Sequence, residues 1–371
     1  MGIPFHAVRP DLDPTDGEMV ARAMDPWQAA EIVQELIMRD IRDSYADLDR
    51  AVEGADLLLT HPVTLAGPLV AEKRRMKWMA TVLAPLSMFS VYETPVPPHA
   101  PWIRHANALG PWWGRLMRWL ARTMTRRWCA PVDRLRRDLG LPDRGHPMFE
   151  GQFSPYASLG LFSPLFGAPQ SDWPTHTEAT GFIFYNGPEV LCTELEEFLA
   201  RGPAPIVFTL GSLAVHAAGT FYEESVDALR RAGRRGVLLA GTSGVERLQP
   251  RLSADVLAIA FAPHQLLFPR AAAIVHQGGA GTTAQGLRAG RPTLIVPHAN
   301  DQPDNAYRVE RLGCSRTLLP KHYRSARVAE ELETLLEQAS YASRATAVAE
   351  HVRAENGTAR AADAVERLLQ A

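Results

Sequence analysis

The most constraining feature of the chain is the run FAPHQLLFPRAAAIVHQGGAGTTAQGLRAGRPTLIVPHANDQPDNA, residues 261–306. A short apolar strand ending in Ile274 and Val275 delivers His276 to a turn containing Gly278, Gly279 and Gly281, and a helix starts through Thr282 and Thr283. Glycine lets backbone approach a ligand closely, and the first N–H groups of a helix are unpaired donors at the positive end of its dipole. A strand, glycine turn and helix in this order predict a parallel α/β sheet with an anion cradle, and a diphosphate is the expected ligand.

The rest of the chain supports that class. Apolar strands are expected at 56–60, 78–83, 157–162, 179–184, 205–210, 236–240, 256–260, 272–275 and 293–296. Helices are expected at 26–52, 64–73, 111–139, 221–232, 282–289, 301–312 and from 325 to the C-terminus. Such alternation predicts βαβ units. Residues 2–8, GIPFHAV, also read as a strand, and Tyr185–Val190 as the crossing between two unlike α/β halves. Between Pro85 and Pro147 the alternation gives way to prolines and aromatics. The helix expected at 111–139 carries Trp112, Leu116, Leu120, Met124 and Trp128 on one stripe and Arg115, Arg118, Arg122 and Arg126 on another. Two readings stay open for it: a helix packed on its own domain with a solvated basic face, or an interfacial helix whose Trp and Leu dip into lipid.

Composition excludes several classes. The chain has 371 residues, 39 Lys plus Arg against 41 Asp plus Glu, and a net charge of -2, which offers no nucleic-acid signature. Cys129, Cys192 and Cys314 are widely separated, without disulfide-framework or zinc spacing. No apolar run approaches the roughly 18 residues of a membrane span and no signal peptide is evident, so a cytoplasmic protein is expected, with peripheral contact at the inner membrane face through 111–139 as the second reading. The two DLD sequences, Asp11–Asp13 and Asp47–Asp49, read as surface carboxylates, and His264, His276 and His298 lack zinc spacing.

His276 sits where a strand meets the glycine turn, so it is the expected donor to a leaving diphosphate, an oxyanion-type contact whose loss typically costs roughly 10²- to 10³-fold in rate. Gly211 and Ser212, at the end of the 205–210 strand, face the same crevice, because ligands in open α/β sheets bind outside the carboxyl ends of strands. Asp301 and Gln302 start a helix just beyond a strand and loop. They supply an acceptor and donor suited to sugar hydroxyls, although a helix cap alone also accounts for Asp301.

Residues 261–306 strongly resemble the donor-binding signature of family 1 glycosyltransferases of GT-B fold, and FAPH, VHQGGAGTT, RAGRPTLIVP and DQPDNA are most similar to the sterol glucosyltransferase and macrolide-type branch. TGFIFY (180–185), PIVFTLGS (205–212) and ADLLLTHPVTLAGPLVAEK (55–73) match more loosely. The resemblance implies two Rossmann-like domains with a cleft between them: an acceptor domain at 1–185, a donor domain at 186–351, and a C-terminal helix at 352–371 that returns to the first domain. It places the nucleobase against Phe261–His264 with the Ala262 backbone reading its edge. His276 then meets the diphosphate, Gly278, Gly279, Gly281, Thr282 and Thr283 hold the phosphates, and Asp301 with Gln302 binds the sugar. Plant members bind ribose with a Glu where this chain has Ala284. Members also carry a strand, a Gly-rich loop, a helix and a second strand ahead of GIPFHAV, so the N-terminal domain reads as incomplete.

The implied reaction is an inverting transfer of a hexose from a UDP- or TDP-sugar to a hydroxyl of a hydrophobic acceptor such as a sterol, terpenoid, polyketide or glycolipid. It needs no cofactor and no metal, since dipoles and His276 replace the cation. The Trp-rich region 102–128 motivates the apolar acceptor. A general base is required; His61 is the leading candidate and His6 and His99 are weaker ones. The alternative is a nucleotide-sugar-binding protein that does not turn over.

Overall fold

The structure, a computed structural model, describes residues 3–371 other than Leu12, Pro14, Thr15 and Pro188. The start of the expected GIPFHAV strand, the centre of the first DLD and one residue of the YNGPEV crossing therefore lie outside the described residues.

Two all-parallel sheets are present. The first has the order β1 (Leu57–Thr60), β2 (Lys77–Val82), β3 (Ala157–Gly160), β4 (Thr177–Ala179). The second contains β5 (Ile206–Thr209), β6 (Gly236–Leu239), β7 (Val256–Ile259), β8 (Ala273–His276), β9 (Thr293–Ile295) and β10 (Ser315–Thr317), in the spatial order β10-β9-β8-β5-β6-β7. Strands β5, β6 and β8 are buried at every position, as continuous apolar runs covered by helices on both faces must be. The helices include Phe221–Ala232, which packs on Ser325–Glu337, and Ala280–Ala289, which packs on Ala339–Ala354. The α/β class and GT-B architecture expected from the sequence are those observed.

Several local expectations are corrected. Residues 3–8 form no strand. β1 is not a fully buried strand: it sits at a sheet edge, pairs only with β2, and leaves Leu59 exposed. The 179–184 strand stops at Ala179, because the chain leaves the sheet through Gly181 at φ +103. The helix expected at 26–52 is broken into Ala29–Ile32, a π-helical turn at Val33–Met38, and Ile41–Ala51. The 111–139 helix is two helices, Pro111–Thr125 and Ala130–Asp138, with Trp128 in the break. Helices Thr193–Ala200 and Gly241–Leu248 and the short β10 are additional.

The two sheets are joined by a shared core in which Val82, Phe162, Phe166 and Phe182 pack with Ala284, Leu287, Ile295, Val309 and Val352. At its margin lies a buried ionic cluster. Arg308, only 3% exposed, donates through Nε to Asp304 (2.6 Å) and through Nη1 to Glu93, while Asp304 Oδ1 accepts from the Val96 N–H (3.0 Å). Burial alone would raise Glu93, but Arg308 and Arg311 outweigh it and hold its carboxyl below the ordinary range. The C-terminal helix Gly357–Gln370 crosses back to the first sheet: Ala364 packs on Met79 and Leu159, and Arg360 and Arg367 both pair with Glu178. Gly357 lies against the Gly181–Phe182 backbone where a Cβ would collide, so the two crossings between sheets touch each other.

A buried pair broken on one side leaves an uncompensated charge. Arg308→Leu strands Asp304 and leaves Glu93 with Arg311 alone, and is expected to destabilise the chain by about 3–5 kcal/mol. A urea titration showing a loss below about 1 kcal/mol would contradict this role for the cluster.

Candidate donor site at the strand-order reversal

In the second sheet the chain order runs outward in both directions from the β5–β8 pair, so this pair is the topological switch point, where the connections diverge and leave a crevice at the carboxyl ends. Thr209 is level with His276, which sets the loops that follow the two strands side by side. After β5 the chain turns through Gly211 at φ +70, its N–H donating to Thr209 Oγ1 (3.1 Å). After β8 it turns through Gly278 at φ +92, where a Cβ would come 2.9 Å from Ile295 Cγ2 and 3.1 Å from the Gln302 carbonyl oxygen. Gly279 is the N-cap of Ala280–Ala289, and no side chain caps that end. Its first N–H groups are free to meet an anion, and the space beside Gly281 is open.

The structure places His276 and Gln277 on different sides of the turn. His276, 1% exposed, is turned behind the loop: its Nδ1 accepts from the Gly278 N–H (3.0 Å), and its Nε2 lies on the side of Gly286 in the following helix. Burial, with a small push from His264, holds its pKa down to about 3. This ring is neutral and shapes the loop; it is not the group that faces the crevice. Gln277 is. Its Nε2 occupies the space that a Cβ on Gly211 or Gly279 would need, and its Oε1 is buried without a partner. Thr282 Oγ1 borders the same space. Gln277 follows the last residue of β8, and the turn through Gly278 sets the two side chains apart.

The other expected residues divide. Phe261, 65% exposed, presents its ring beyond β7, with Ala262 buried behind it. His264 stacks on Phe268 (4.3 Å between centroids, 13° between planes), and burial lowers its pKa to about 4. Ser212 lies in the short Gly211–Ala214 helix and Thr283 is buried with its hydroxyl unpaired. Asp301 Oδ2 accepts from Asn305 Nδ2 (2.7 Å), which also donates to the Gly278 carbonyl (2.8 Å), so the acidic residue is tied to the glycine turn. Burial raises the Asp301 carboxyl pKa. Gln302 differs from expectation: its Oε1 accepts from the N–H of His298 (2.8 Å) and of Ala299 (3.3 Å), so its acceptor braces the loop from within. Its Nε2 approaches Met24 Sδ (3.8 Å), while Asn300 Nδ2 donates to the Ala23 carbonyl (3.2 Å). The Gly17–Ala23 helix thus borders the crevice, a contribution that sequence reading missed because nothing in GEMVARA marks it.

His61 follows β1 directly, and burial lowers its pKa. His99 packs against Trp27 with the rings tilted (5.2 Å between centroids, 37° between planes) and His6 is exposed. No hydrogen bond or ring contact among the described residues joins any of the three to the β5–β8 crevice.

Comparison with known proteins decides the family. The chain is 33% identical over 331 residues to O-mycaminosyltylonolide 6-deoxyallosyltransferase of Streptomyces fradiae, covering 86% of this chain and 74% of that protein. This chain is a family 1 glycosyltransferase. Residues 241–368 match the family described as Erythromycin biosynthesis protein CIII-like, C-terminal domain. A sterol 3-beta-glucosyltransferase of Leptosphaeria maculans is 28% identical over 338 residues, spanning 86% of this glycosyltransferase but 22% of the fungal protein. The GT-B fold is shared with the glycotransferase of kitacinnamycin (TM-score 0.68, 20% identity, 91% of this chain and 82% of that one). It is shared equally with the spinosyn rhamnosyltransferase SpnG complexed with thymidine diphosphate (0.65, 18%, 95% and 84%).

The three histidines give the glycosyltransferase a defined acid response. His276, His264 and His298 have folded pKa values of about 3, 4 and 4, lowered by burial, against 6.5 when unfolded. The unfolded chain takes up protons first, so stability falls as pH drops from about 6.5 toward 4, while Asp301, with its raised carboxyl, opposes this as a single group. Thermal unfolding midpoints should decline across that window, and His276→Asn should flatten the decline. A flat profile in the parent chain would show that these rings are not held neutral.

Proposed function

We propose that the chain transfers a hexose, with inversion, from a UDP- or TDP-sugar to a hydroxyl of a hydrophobic acceptor of the sterol, terpenoid, polyketide or glycolipid type. The observation that carries this reading is the uncapped start of Ala280–Ala289, opening beside the Gln277 amide at the switch point. The thymidine diphosphate bound by SpnG and the 6-deoxyallosyl and sterol glucosyl transfers named for the relatives support the donor and acceptor classes.

In this mechanism the exposed Phe261 ring offers a face to the nucleobase and the Ala262 backbone its edge. The diphosphate lies across the helix start, receiving N–H groups of residues 280–282, the Gln277 Nε2 and the Thr282 hydroxyl. Asp301 accepts from sugar hydroxyls. The acceptor oxygen bonds to the anomeric carbon as the bond from that carbon to the diphosphate oxygen breaks, and charge grows on the leaving group where the dipoles already point. The acceptor proton passes to a base. His61, kept neutral near pH 7 by burial, starts in the protonation state that a base requires. The second reading, a nucleotide-sugar-binding protein without turnover, draws on the observation that among the described residues no hydrogen bond or ring contact joins His61 to the crevice.

Calorimetry with UDP and dTDP, followed by mass spectrometry of products from UDP-glucose or dTDP-sugars and a panel of apolar alcohols, separates these readings. Gln277→Ala is expected to lower kcat/KM on the order of 10²-fold with little change in unfolding midpoint. Absence of nucleotide binding defeats both readings. Binding without product in any combination favours the second, and indifference to Gln277→Ala removes the assigned diphosphate contact.

A further inference from the structure

The Pro111–Thr125 helix, PWWGRLMRWLARTMT, contains three cations and no acid, Arg115, Arg118 and Arg122, and Arg126 adjoins its end. An amphipathic helix ordinarily turns its apolar stripe to the core and its charges to water. Here the arrangement is reversed. Arg118 pairs with Glu150 (3.5 Å) and Asp172 (3.7 Å), Arg122 pairs with Glu150, and Arg126 pairs with Asp133 (3.2 Å). Gly114, the one buried residue of the helix, presses against the Val91 backbone, where a Cβ could not fit. The polar side is therefore fastened to the domain, and Trp112 (57% exposed), Leu116, Trp119 (59%), Leu120 and Met124 (68%) form a stripe on the outside. Trp102 and Leu109, in the preceding 3₁₀ turn, extend it.

Charge identifies the occupant. Arg115 and Arg127 border the stripe, and Arg134 and Arg137 follow on Ala130–Asp138; all four are exposed and form no ion pair among the described residues. A second copy of this chain meeting the face through a two-fold axis would bring the same cations together with no acid between them. An anionic lipid surface supplies the missing negative charge and accepts indole rings at headgroup depth. The helix has 15 residues, about 22 Å at 1.5 Å per residue, and among the described residues no helix is long and apolar enough to cross a membrane, so the geometry is that of a helix lying in the interface. We propose that the outward face of Pro111–Thr125, with Arg115, Arg127, Arg134 and Arg137, docks the protein on an anionic lipid bilayer. The proposal rests on this face alone and is independent of the donor-site reading.

The test is co-sedimentation of the full chain with phosphatidylcholine vesicles, with and without phosphatidylglycerol, monitored also by tryptophan emission. Binding is expected only to the anionic vesicles, with a blue shift, and weakening as salt rises. Trp112→Ser with Trp119→Ser, and separately Arg115→Glu with Arg127→Glu, should each weaken binding by at least about tenfold. Unchanged unfolding midpoints and far-ultraviolet circular dichroism would show that both variants are folded. No binding by the parent chain, equal binding to both vesicle types, or binding insensitive to both double variants overturns the proposal. So does a vesicle-independent dimer in sedimentation velocity that the Trp variant dissolves, since the face would then be a protein interface.

Discussion

The candidate donor site depends on one topological fact: the strand order of the second sheet reverses between β5 and β8. Neighbouring parallel strands are normally bridged over their ends by the chain that links them, but at a reversal the two connections leave in opposite directions and nothing fills the gap. Gly211 and Gly278 fold back from that gap in left-handed conformations, and Gly279 starts a helix beside it. Local backbone choices, side-chain placement and the direction of a helix dipole all follow from where the sheet changes direction.

Much of this was legible in the sequence, for physical reasons. Buried parallel strands must be apolar throughout, so β5, β6, β8 and β9 stand out, and glycine at a strand-to-helix junction narrows the backbone choices. What escaped reading has equally physical causes. β10 is three residues, Ser-Arg-Thr, held by the β9 ladder without apolar signal of its own. The Gly241–Leu248 helix opens on GTSG, which reads as turn. At the site, residue type draws attention to the imidazole, while the turn after β8, which no local pattern specifies, buries His276 against the Gly278 N–H and sets the Gln277 amide beside Gly211 and Gly279. The acceptor bracing by Gln302 depends on a loop conformation, with Asn300 at φ +57, that no local pattern specifies.

The Pro111–Thr125 helix shows the limit of periodicity. A stripe of Trp, Leu and Met at helical spacing says that two faces differ; it does not say which one points inward. That was decided by Glu150 and Asp172, distant in sequence, which claim Arg118 and Arg122 and turn the helix over.

The helix Gln302–Arg311 combines two roles along one rod. Its start lies next to Asp301 beside the crevice, while Asp304 in the first turn and Arg308 one turn on are bolted to the Val96 backbone and Glu93 in the other half of the molecule. An α-helix rises only 1.5 Å per residue, so the ion cluster at the seam between the sheets and the Asp301–Asn305 tie to the glycine turn stand within a few ångströms of each other on one short rod. The same element that fastens the two halves together also fixes one wall of the crevice.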